Sequence, residues 1–138
     1  MRFRISVAID RIRWFFQRGF RGFDDRAIWN IDVYLRDQLL KILPIYKENT
    51  VALWNNPETH EPMTEEEMNA VLDTLIFHLR MMDEDYVEKE LFGSNVEDDD
   101  YVVGSRTIEE YQRISEVQNQ NKDLALDLLK TFWWQLWD

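Results

Sequence analysis

Cysteine is absent from the 138-residue chain, so neither a disulfide framework nor a thiolate metal site can form. Nothing in the composition then asks for an oxidising compartment, and a cytoplasmic setting is expected. Long apolar runs are missing too: no stretch approaches the roughly eighteen residues of a membrane span, and Asp10, Arg11 and Arg13 interrupt the N-terminal apolar residues. Proline and glycine number only three and four, so regular structure has few obligatory stops.

The same scarcity excludes several chemistries. Gly19, Gly22, Gly93 and Gly104 never fall at phosphate-cradling spacings. His60-Glu61 runs into Pro62 instead of a second histidine, which removes the zinc protease motif. A calcium loop starting at Asp99 would place Tyr101 and Val103 where oxygen ligands belong. Asp85 with Glu88, and Glu97 with Asp100, do not make the two rigid carboxylate pairs of a magnesium-dependent helical pyrophosphatase. No serine is tied to a histidine by spacing. The chain is therefore expected to be a non-enzyme with no cofactor and no catalytic or metal residues.

What is present points to a single globular domain over residues 1–138, because apolar residues make up 45% of the chain, with six tryptophans and eight phenylalanines. Net charge is -11 and unevenly spread. Residues 1–26 hold seven arginines against three aspartates, giving +4 and leaving -15 for the remainder. Residues 1–22 thus read as a basic amphipathic helix and glycine turn, with Arg4, Arg11, Arg13 and Arg18 as its cations, and 23–138 as an acidic helical body. The basic segment is expected to fold back onto this acidic body, with a different partner as the alternative.

Apolar spacing is helical throughout and predicts an all-α, antiparallel bundle of about four helices. The first, near 3–18, carries the stripe Ile5, Ala8, Ile9, Ile12, Phe16, with Phe3, Val7 and Trp14 opposite. The second opens at Asp24 or Asp25 as a cap, runs through Ile28, Ile31, Leu35, Leu39, Ile42 and Tyr46, and is expected to kink or stop early at Pro44. Two capping boxes, Thr64 to Glu67 and Thr107 to Glu110, open the third and fourth. The third continues along Met68, Val71, Leu72, Leu75, Leu79, Met82 and Tyr86. An acidic loop, Gly93 to Asp100, precedes the fourth, whose seam is Tyr111, Ile114, Gln118, Asn121, Ala125, Leu128, Phe132.

Polar residues interrupt three of these stripes: Asp32, His78, Gln118 and Asn121. Together they predict a buried layer that fixes helix register, or a polar pocket for a small ligand. Phe132, Trp133, Trp134, Leu136 and Trp137 are too many large apolar groups for one helix face, so some must cover other helices or meet a partner; with Trp14 of the first helix, Trp133, Trp134 and Trp137 are the candidate interface residues.

The segment Arg21-Gly22-Phe23-Asp24-Asp25, followed by Ile28-Trp29-Asn30-Ile31-Asp32-Val33-Tyr34-Leu35 and Pro44, resembles a group of small acidic helical proteins of bacteriophages and prophages. The terminal Phe132-Trp133-Trp134-Gln135-Leu136-Trp137-Asp138 resembles the Leu-Trp-Asp-like end of that group. The arginine-rich first helix and the acidic loop depart from it. The resemblance implies viral origin and a bacterial cytoplasm, and no activity. The function expected is that of a non-catalytic binding protein whose acidic surface engages, and blocks, a basic host or viral protein. The alternatives are a protein sequestering a nucleotide signal, and a virion or assembly component using the C-terminal aromatics. A protein partner or self-association is expected, direct nucleic-acid binding is not, and contact of the N-terminal helix with a membrane surface is the secondary expectation.

Overall fold

The computed structural model describes residues 2–93 and 107–136, with side chains from residue 7 onward. The described residues are helical, as expected, but in six segments instead of four: α1 (Arg2–Arg21), α2 (Arg26–Trp29), α3 (Ile31–Asn49), α4 (Glu65–Arg80), α5 (Glu84–Phe92) and α6 (Ile108–Phe132), closed by a 3-10 turn at Trp133–Gln135. Two compact units divide the chain, residues 1–39 and 40–138. Their boundary lies inside α3.

Two of the expected helices are broken. The second breaks at Asn30, which leaves helical geometry at φ -139° and ψ 68°, while Pro44 lies within α3 and the helix continues to Asn49. Continuation there offsets the lost amide donor, since it keeps Tyr46 on the helix, where its hydroxyl bonds Trp54 and Gln135. Asp25 stands at the start of α2 but its side chain makes no cap; arginines hold it instead. The third expected helix breaks at Met81, and Asp83 recaps the chain by accepting from Tyr86 N at 3.1 Å. Tyr86 therefore belongs to α5. Both capping boxes form, with Thr64 and Glu67, and Thr107 and Glu110, satisfying each other's free amides. The acidic loop beyond Gly93 lies outside the described residues.

In residues 40–138, α6 packs against both α4 and α5. Met68, Leu72, Leu75, Ile76 and Leu79 of α4 are buried, as are Ile114, Val117, Ala125 and Phe132 of α6. Met81, Val87, Ile114 and Val117 form one cluster, flanked by Tyr86 and Leu91. The loop between α3 and α4 contributes the largest fully buried side chain, Trp54. Its ring stacks on Phe132 with centroids 5.1 Å apart. Its indole N–H donates to Tyr46 Oη at 3.1 Å, and Tyr46 Oη donates to the Gln135 carbonyl at 3.2 Å. Gln135 Oε1 in turn accepts from Asn55 N at 3.2 Å.

Residues 1–39 are built differently. Ala27 is the one buried apolar residue described there, and polar contacts join α1 to the residues that follow it. Gly22 takes φ 79°, a conformation that suits glycine, and its N–H donates to the Arg18 carbonyl at 3.0 Å. Tyr34 Oη of α3 donates to the Gly22 carbonyl at 3.1 Å.

Candidate functional sites

The turn after α1 gathers four arginines around two aspartates. Asp24, 5% exposed, accepts from Arg18 at 2.7 Å and from Arg26 at 2.8 and 3.0 Å. Asp25 accepts from Arg21 at 2.8 Å and from Gln17 Nε2 at 2.7 Å, and pairs with Arg13 at 3.0 Å. The Arg26 guanidinium lies over the Trp14 ring, 4.2 Å from its centroid. Hydrogen bonds from Arg26, aided by Arg18 and opposed by burial, hold the Asp24 carboxyl far below the usual carboxylate range. Asp25 is also lowered, chiefly by Arg21 and then Gln17. The Asp24 carboxylate in turn raises Arg26. Four cations on two anions leave the cluster at +2. The arginine side chains stay accessible, at 64, 46, 42 and 59% for Arg13, Arg18, Arg21 and Arg26.

The expected fold-back of the basic segment is thus local for these arginines: Asp25 is their counter-ion and no cap, whereas Asp24 is a counter-ion that also accepts from Arg26 N, the first amide of α2, at 3.1 Å. Arg11 is exposed. The side chain of Arg4, and Trp137 altogether, lie outside the described residues.

The expected polar layer is brought together only in part. His78 Nδ1 and Asn121 Oδ1 are 2.7 Å apart, and Asn121 Nδ2 donates to the Val117 carbonyl at 2.8 Å. Gln118 Nε2 donates to the Met82 carbonyl at 2.9 Å, satisfying backbone freed at the break between α4 and α5. These are two ties that set α6 against α4 and against the α4–α5 junction. Asp32 is not a member: it is exposed in the first turn of α3 and belongs to residues 1–39. The break at Asn30 moves Asp32 from a helix interior to a helix start, where its charge complements the dipole.

The tryptophans divide as well. Trp14 is half-buried beneath Arg26, whereas Trp133 and Trp134 are 55% and 78% exposed. Trp29, not singled out by the spacing, is 84% exposed.

A further arrangement lies on the outward face of α6. Glu109, Glu116, Asp123 and Asp127 are all exposed. Spacings of seven, seven and four residues hold them within about 40° around the helix, at intervals of about 10, 10 and 6 Å along it. Arg113 and Lys122 partner Glu116 and Asp123 at 3.5 and 3.3 Å. Glu65, Glu66, Glu84, Asp85 and Glu90 are exposed on α4 and α5, with no ion pair among the described residues. Charge accordingly separates with the units: residues 1–39 have eight arginines, no lysine and five aspartates, for +3, and residues 40–138 carry -14. Compared with models of known protein families, with curated proteins and with solved structures, the chain matches none of them.

Proposed function

We propose that the chain is a non-catalytic binding protein of bacteriophage type, acting in the cytoplasm of a bacterial host, whose acidic helices engage and block a basic surface on a host or viral protein. The carboxylate row along α6 is the observation that carries this reading. Glu109, Glu116, Asp123 and Asp127 form a straight negative edge about 27 Å long. A basic groove built for a phosphate backbone presents cations to such an edge, and the -14 unit steers the encounter. His78, Gln118 and Asn121 keep α6 in register beneath the row.

The test is a pull-down from bacterial lysate at low and physiological salt, comparing the full chain with the quadruple variant Glu109→Gln, Glu116→Gln, Asp123→Asn, Asp127→Asn. The expected result is a protein partner retained at low salt, weakened as exposed charges are screened, and lost from the variant. Equal capture by both proteins, or recovery of nucleic acid with no protein at either salt, would overturn the reading.

A further inference from the structure

We infer that α1 is a peripheral anchor for anionic phospholipid bilayers, lying in the headgroup plane with one face in the acyl boundary and its arginines on lipid phosphates. This stands apart from the acidic row and does not depend on it.

The first observation is where the clasp sits. At 100° per residue, Gln17, Trp14, Arg18 and Arg21 share one side of α1, and the Asp24–Arg26 turn closes against that side. Over residues 7–21, the opposite arc, about 140° wide, contains Phe15, Ala8, Gly19, Ile12, Phe16, Ile9 and Phe20 and no polar side chain. Its large residues are uncovered: Ile9 59%, Ile12 59%, Phe15 66%, Phe16 56% and Phe20 87% exposed. From Ile9 to Phe20 the strip runs about 17 Å. Apolar exposure of this kind along three turns marks a surface that is covered in use.

The second observation identifies what covers it. Arg11 borders the arc on the Phe15 side and Arg13 borders it on the Phe20 side. A helix half-sunk in a bilayer needs cations along both edges, level with the phosphates, while its apolar face points to the acyl chains. A shallow depression lined by Arg13, Phe16, Gln17, Phe20 and Arg21 follows the second border, so guanidinium and phenyl groups meet where headgroup and chain meet. All eight cations of residues 1–39 are arginines, which grip phosphate oxygens in pairs. The clasp holds four of them half-exposed with a residual +2. A second copy of the chain would bring like charges together along these borders. No helix of the described residues is long and apolar enough to cross a membrane, so the contact is superficial.

The experiment uses the full chain and vesicles of phosphatidylcholine, with or without phosphatidylglycerol, read by flotation at physiological salt. Binding is expected to the anionic vesicles and not to the neutral ones. Phe16→Ser with Phe20→Ser should weaken it about tenfold or more, and Arg11→Gln about fivefold. Neither side chain of the first variant is buried, and circular dichroism matching the parent protein shows that α1 is retained. Absence of flotation with anionic vesicles would overturn the inference, as would binding that survives the double substitution. So would a dimer without lipid that Phe16→Ser with Phe20→Ser converts to monomer, since a second copy would then be the occupant.

Discussion

At the scale of single residues, two aspartates differ from what their spacing suggests. Asp32 falls within an apolar stripe and reads as buried; it is exposed. Asp24 reads as a helix cap; it does accept from Arg26 N at the start of α2, and it is in addition the buried carboxylate, held by Arg18 and Arg26. Asp24→Asn should lower the protection of the α1–α2 turn by about 1–2 kcal/mol, since both arginines are half-exposed and resolvate cheaply. Asp32→Ala should change stability by less than about 0.5 kcal/mol. Hydrogen exchange of the amides near Arg18 to Arg26 distinguishes them, and equal protection in the two variants would remove the clasp as a stabilising element. The sign of the pH effect follows from the lowered Asp24. Its contribution is complete above the ordinary value of 3.8 and drains away as pH falls from there through the folded value. What hid the exposure of Asp32 is Asn30: a helix break reassigns every face after it, and Asn30 has no proline or glycine beside it to announce one.

At the scale of elements, helix starts were legible and helix ends were less so. Thr64 and Thr107 open α4 and α6 as their capping boxes predict, because the signal is local and each partner lies three residues away. The seam of α6 was also readable, with Ile114, Asn121, Ala125 and Phe132 buried at the expected spacing. Trp54 was not. It sits in a loop without periodicity, and its partners are Tyr46, on the preceding helix, and Phe132, remote in the chain. Nor could spacing separate the terminal aromatics. Phe132 is 8% exposed against Trp54, while Trp134 is 78% exposed. Phe132→Ala should therefore cost about 3–4 kcal/mol, through the cavity and the lost stack, and Trp134→Ala under about 0.5 kcal/mol. Urea denaturation followed by tryptophan fluorescence provides both numbers, and a Trp134→Ala loss as large as that of Phe132→Ala would place a hidden partner on Trp134.

For the whole molecule, apolar burial is concentrated in one unit. Among the described residues, every buried apolar side chain except Ala27 belongs to residues 40–138. A fragment of residues 40–138 is expected to melt cooperatively and keep the near-ultraviolet signature of Trp54, since Leu43, Tyr46 and the Phe132 stack all remain. A non-cooperative melt of this fragment would mean that its fold depends on the first 39 residues. Charge composition placed a change of character near residue 26, and the structural boundary follows thirteen residues later. The difference arises because Asp24, Asp25 and Tyr34 are tied to α1 and its glycine turn by contacts that charge counting cannot see.

The Trp54 junction also has a consequence in time. Tyr46 and Asn55 reach Gln135 across 89 and 80 residues of chain, whereas the ties of the first unit span at most twelve. Emerging from a ribosome at roughly 5–20 residues per second, the acidic unit waits several seconds for the residues that close it. The arginine clasp can form well before then, so a nascent chain presents α1 to its surroundings while the rest is still being made.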